Sequence, residues 1–151
     1  MVHPALTFSG RDLRLDYLCA MVLLGVSAGC SSSERIEQQS QTAASAAQTV
    51  SMVLDAWRSG AAPSAYTAGT LQSVGKTLAD AEAQIRSAGA TEPAEQAALA
   101  TAVKGLSVAV ARAEAGLQAG NRTEVQNAKQ DLRLASRSLA TAYAEYFAPK
   151  P

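Results

Sequence analysis

Leu117-Gln-Ala-Gly120-Asn121-Arg-Thr-Glu124-Val125 holds the end of one helix and the start of the next. Gly120 stands where a helix can close in the left-handed conformation that costs glycine nothing. Asn121 follows at once, and Glu124 comes three residues later, the spacing of a capping box. Leu117 and Val125 belong to apolar patterns on either side. A chain that stops and restarts within two residues must double back, so the flanking helices are antiparallel.

The same punctuation recurs at Gly60-Ala-Ala-Pro63 and Gly89-Ala-Thr-Glu-Pro93. Each glycine is read as a left-handed helix end. Pro63 suits a first helical turn, and Thr91 is the expected N-cap ahead of Glu92 and Pro93. The last helix stops near Pro149. Four helices are therefore expected over residues 34–59, 63–88, 92–119 and 122–147, each about 39 Å long at ~1.5 Å per residue.

Every segment repeats its apolar positions at intervals of seven, with a second seam alongside. Ile36, Ala43, Val50 and Trp57 run beside Ala47 and Leu54, and Leu71, Leu78 and Ile85 beside Val74, Ala81 and Ala88. Leu99, Leu106 and Ala113 run beside Val103, Val110 and Leu117, and Val125, Leu132, Leu139 and Tyr146 beside Ala128, Ala135 and Ala142. Each helix thus has one face to bury. The predicted fold is all-α, an antiparallel up-down-up-down four-helix bundle over residues 34–148. The regular Gly and Pro breaks argue against a long two-helix hairpin or a trimeric coiled coil. One uninterrupted helix per ~30-residue unit argues against a tetratricopeptide-type array. Alanine in the seams draws backbones toward the short end of the ~8–10 Å range, and Gly105 and Gly116 either serve that approach or simply weaken their helix.

Composition agrees. The 151 residues suffice for one domain, and the good helix formers Ala, Gln, Arg, Glu and Leu dominate the second half. The formal net charge is zero, so no bulk attraction to nucleic acid is expected. Cys19, Cys30 and His3 all lie near the N-terminus, and none of these residue types occurs after Cys30. A disulfide framework, a Cys/His zinc site or a haem-attachment motif in the folded part is thereby excluded.

The N-terminal region differs in kind. Arg11 and Arg14 precede an apolar run from Tyr17 to Gly29. At ~20 Å as a helix, it falls short of the ~30 Å hydrocarbon core of a bilayer. Positive charge, a short apolar stretch and small residues before a cysteine are the build of a secretory signal peptide. The alternative is a short buried helix with two incidental cysteines.

Val26-Ser-Ala-Gly-Cys30 resembles the lipobox of bacterial lipoproteins, and no charge falls between Ala20 and Gly25. The resemblance implies cleavage of residues 1–29 between Gly29 and Cys30, and lipid on the thiol of Cys30. Residues 30–33 then form the lipidated cysteine and a short serine tether. It also implies a bacterial envelope location, and Ser31 fits outer-membrane sorting toward the periplasm in a Gram-negative host. Cys19 does not suit this role, because Arg14 and Asp16 lie just upstream. The long region before the apolar run, diluted by Asp12 and Asp16, points to a translation start downstream of Met1. Met21 would leave no basic residue.

Chemistry is sparse beyond the leader. Glu114, Glu124, Asp131 and Glu145 fall outside the apolar seams and read as solvated, so no metal site is expected. Serines have no histidine partner, Lys76, Lys104 and Lys129 lie in no recognisable nucleophile motif, and no phosphate loop follows a strand. Neither enzyme activity nor a cofactor is expected. Lys129, Arg133 and Arg137 recur every four residues, a stripe for an anionic partner or simply a solvated face. Trp57 and Tyr66 flank the first turn and are candidate partner contacts or plugs for that end. Tyr143, Tyr146 and Phe147 end the chain's last helix. They are candidates for resting on the membrane interface, or for closing the bundle over Ile36 and Ile85.

These features point to a lipid-anchored structural or interaction protein of the envelope with a protein partner. The competing readings are a bundle that holds an apolar ligand and an accessory subunit of an envelope complex. One variant resembles the small murein-linked lipoproteins, which share the Cys-Ser-Ser start and helical heptads. Those end in lysine, whereas Lys150 here is followed by Pro151.

Overall fold

The computed structural model describes residues 31–149. Gly29 and Cys30, and with them the lipobox reading, lie outside the described residues, as does Lys150. Four helices follow one another: α1 (Ser32–Arg58), α2 (Ser64–Ser87), α3 (Pro93–Gln118) and α4 (Arg122–Phe147). Their bounds lie within two residues of those read from the caps and breaks.

The helices form an antiparallel four-helix bundle. Two ties fix the relative direction of α1 and α4. Lys129, early in α4, bonds to Asp55, late in α1. Tyr143, late in α4, donates its hydroxyl to Glu37 Oε1, early in α1, at 3.2 Å. Sequential helices are neighbours, α4 closes against α1, and α1 also touches α3 across the diagonal while α2 and α4 do not meet. The cross-section is therefore a sheared rhombus.

Two of the three turns follow the glycine logic. Gly60 (φ 79°) and Gly120 (φ 63°) are left-handed. After α1, Gly60 N–H donates to Trp57 O at 3.0 Å and Ala61 N–H to Ala56 O at 2.8 Å. After α3, Gly120 N–H donates to Leu117 O at 3.1 Å and Asn121 N–H to Gly116 O at 2.8 Å. Both are Schellman closures that satisfy otherwise orphaned carbonyls.

The third turn departs from expectation. Gly89 is not left-handed, and Ala88 leaves α2 in an extended conformation. Gln96 does the work instead. Its side-chain amide, reaching across from α3, donates to Ile85 O at 2.5 Å and to Ala88 O. With those carbonyls satisfied from a neighbouring helix, no left-handed residue is needed.

Three caps also differ. The N-cap of α3 is Glu92, not Thr91, and it makes no side-chain cap bond. Asn121 caps α4 by accepting from Glu124 N–H at 3.1 Å, but the Glu124 carboxylate pairs with Arg112 rather than completing the box. The full capping box is at Ser31. Its hydroxyl accepts from Glu34 N–H at 3.2 Å, and its own N–H donates to Glu34 Oε2 at 2.8 Å. Ser32 and Ser33 therefore belong to the first turn of α1, capped by Ser31, rather than to a tether.

The core follows the heptads. Ile36, Val50, Leu71, Leu78, Ile85, Leu99, Val103 and Leu106 are completely buried. Trp57, Ala135 and Tyr146 are only half-buried and pack on the core's margin. The tightest seam is α3 with α4, and of its two glycines only Gly116 is required by the approach. A Cβ on Gly105 would stand 3.5 Å from Ala135 Cβ, and one on Gly116 only 3.0 Å from Val125 N. Among the described residues no helix is long and apolar enough to cross a membrane.

Candidate functional site

Polar groups and open space gather along the seam between α1 and α4. This seam has no connecting loop, so side chains alone close it. At the end near the α1–α2 turn, a cleft of about 400 Å³ lies between Asp55, Trp57, Arg58, Arg122, Gln126 and Lys129. Midway along the seam, a slot of about 350 Å³ runs past Ser40, Ala44, Leu139 and Tyr143. A shallower trough of about 800 Å³ follows the outer side of α3 and α4 past Ala98, Gly105, Leu134 and Arg137.

In the first cleft one carboxylate serves two cations. Lys129, whose side chain is only 6 % exposed, bonds to Asp55, which is 46 % exposed. Arg58 Nη2 lies 3.5 Å from the same Asp55 oxygen. The hydrogen bond from Lys129, with the smaller help of the charges of Lys129, Arg58 and Arg133, outweighs the opposing desolvation and holds the Asp55 carboxyl below its ordinary pKa. Trp57 donates its indole N–H to Ser64 Oγ at 3.0 Å, which fixes the ring. The Arg122 guanidinium lies 5.8 Å from the ring centroid, within cation–π range.

The basic stripe divides. Lys129 is buried, whereas Arg133 and Arg137 are exposed. Four residues turn a helix by about 400°, so each step drifts ~40° around the axis. Over two steps the stripe passes from the α1 side of α4, where Lys129 pairs with Asp55, to the α3 side, where Arg137 lines the trough. Lys129 is therefore no surface contact. Nor are all the acids simply solvated, since Arg112 binds both Glu124 and, at 2.5 Å, Asp131.

The aromatic residues also separate. Tyr66 is 64 % exposed, whereas Trp57 packs on the core's edge. Tyr143, Tyr146 and Phe147 are half-buried against the core at the end where α1 begins. The Tyr143 and Phe147 ring centroids are 4.6 Å apart and those of Tyr146 and Phe147 4.8 Å, the second pair edge-on. Ser32 and Ser33 border the same hollow as Tyr146 and Phe147.

Sequence reasoning missed Asp55, Arg58 and Arg122. A signal was present: Asp55 adjoins the seam residue Leu54, and Lys129 adjoins Ala128. Charges flanking the seams of two helices that must close on each other are candidates for pairing. The slot carries a further polar group, since the Ser40 hydroxyl is buried without a hydrogen-bond partner. Among the described residues no three His, Cys, Asp or Glu side chains converge as a metal site would require. No protein-family model matches the chain, and no curated protein or solved structure matches it.

Proposed function

We propose that this protein is a lipid-anchored component of the bacterial envelope with a structural or protein-interaction role and no catalysis. The observation that carries this reading is Val26-Ser-Ala-Gly-Cys30, the lipobox-like sequence directly before the bundle. The Ser31 capping box supports it, because α1 begins at Ser32, two residues after the cysteine. A lipid on Cys30 then has almost no linker. The end of the bundle carrying Tyr143, Tyr146 and Phe147 stands at the bilayer, and the Trp57 end stands about 40 Å away, one helix length. Arg133, Arg137, Trp57 and Tyr66 remain for a protein partner.

Metabolic labelling with an alkyne fatty acid, followed by mass spectrometry of the mature N-terminus, tests this. The expected result is an acylated Cys30 as first residue, with label and membrane association lost in Cys30→Ala. A chain that keeps its leader, or a Cys30→Ala variant that still takes label, overturns it. A second reading rests on the slot beside Ala44 and Leu139 and its unpartnered Ser40 hydroxyl. There an apolar ligand with one polar group would lie between α1 and α4. Thermal stabilisation by a fatty acid, abolished in Ala44→Phe, is its expected signature; no shift with any chain length refutes it.

A further inference from the structure

The cleft at the α1–α2 end has more positive charge than it can neutralise itself. Arg58, Arg122 and Lys129 line it, and Asp55 is the one carboxylate among its lining residues. The nearby acids of α4, Glu124 and Asp131, do not line the cleft; both turn to α3, where Arg112 binds them. The chain as a whole has no formal net charge, so the excess is local.

The geometry concentrates this charge. Lys129 cannot leave, being buried at the cleft's floor and bonded to Asp55. Trp57, held by Ser64, forms an apolar wall and sets the Arg122 guanidinium over its ring. Arg58 and Arg122 therefore face one concavity from two helices. An apolar wall excludes water from one side and strengthens any charge interaction within. Arg122 and Thr123 also open α4, where backbone N–H groups have no helical acceptor. Thr123, Gln126 and Asn127 add side-chain hydrogen-bonding groups to the lining.

We infer that this cleft is a binding site for a phosphate monoester, held by Arg58 and Arg122 over the Lys129–Asp55 pair and beside Trp57. Two excess positive charges match a dianion, and guanidinium groups suit its several acceptor oxygens. The group can come from a free metabolite or from a lipid headgroup. The inference does not depend on the lipid anchor.

Trp57 is the chain's single tryptophan, so its fluorescence reports this cleft alone. The full chain in neutral detergent would be titrated with glycerol 3-phosphate, against sodium chloride at matched ionic strength. In a parallel arm the micelles would be doped with phosphatidic acid or phosphatidylcholine. Calorimetry would accompany both, since Arg122→Gln alters the Trp57 environment by itself. The expected result is a saturable response to phosphate monoester that chloride does not reproduce. Arg58→Gln and Arg122→Gln should each weaken it about tenfold, and Arg137→Gln, in the other trough, should leave it unchanged. A response to glycerol 3-phosphate assigns the site to a soluble ligand, and one only to phosphatidic acid micelles assigns it to a headgroup. No saturable response in either arm, or unchanged half-saturation in both cleft variants, overturns the inference.

Discussion

The Lys129–Asp55 pair should respond asymmetrically to the loss of either partner. The two side chains differ in exposure, 6 % for Lys129 and 46 % for Asp55. Asp55→Asn removes the charge that the buried ammonium needs. A buried ion stripped of its partner typically costs ~3–5 kcal/mol; here we expect about 2–3 kcal/mol, because the seam is open to water on the Asp55 side. Lys129→Met removes the desolvated head and keeps most of the stem's volume. Asp55 is then left with water and Arg58, 3.5 Å away. That variant should lie within about 1 kcal/mol of the parent, since an exposed carboxylate loses little with its partner. The double variant should recover most of what Asp55→Asn loses. Urea unfolding at pH 7 and moderate salt, followed by circular dichroism, measures all three. If Lys129→Met proves as damaging as Asp55→Asn, the pair's attraction exceeds the cost of burying the lysine, and the reasoning fails.

The same packing sets other expectations. The Asp55 carboxyl has a lowered pKa in the folded state, so its contribution is present above the unfolded value. It fades as pH falls through the folded value, in the range below about pH 4, and acid titration of Asp55→Asn should lack that component. Gly105→Ala places its Cβ at ordinary contact distance from Ala135 and should stabilise by up to about 1 kcal/mol through helix propensity. Gly116→Ala meets Val125 N at 3.0 Å and two further atoms at 3.1 Å, so overpacking should reverse the sign and cost about 1–2 kcal/mol. Thermal denaturation of the two alanine variants checks the opposition, and equal shifts refute the close approach of α3 and α4. Gln96→Met leaves the Ile85 and Ala88 carbonyls without their side-chain donor and should cost about 1–3 kcal/mol in the same assay.

What could be read beforehand was whatever repeats along one helix. The heptads of α2 and α3 place Leu71, Leu78, Ile85, Leu99 and Leu106 in the core without knowledge of their partners, because one buried face is a property of a single helix. Gly60 and Gly120 were legible for the same reason, since a Schellman closure is local. The Gly89 turn was not, because the group that satisfies α2's last carbonyls belongs to Gln96, eleven residues beyond Ile85. Glu124 shows the limit from the other side. Its spacing from Asn121 suits a capping box, but Arg112 on the preceding helix competes for the carboxylate and wins it. Lys129 was misplaced because an i, i+4 stripe ignores the drift of about 40° per step. That drift decides which end of the stripe turns inward.

The candidate site lies where such local reasoning stops. Three neighbouring helix pairs are joined by short turns, which hold them together whatever their side chains do. The fourth pair, α1 with α4, is joined by nothing local, and the residues that close it are separated by 74 and 106 positions in the two bonds that span it. Apolar packing alone tolerates sliding along such a seam, since one alanine layer resembles the next. A charged pair at one end and a Tyr–Glu bond at the other do not, because each has a single geometry that satisfies it. The polar residues thus fix the register of the one seam that connectivity leaves free. Both the cleft beside Trp57 and the slot beside Ser40 lie along this seam. A ligand at either place would act on the least constrained contact in the bundle and bias α1, the helix that begins beside Cys30, relative to the other three.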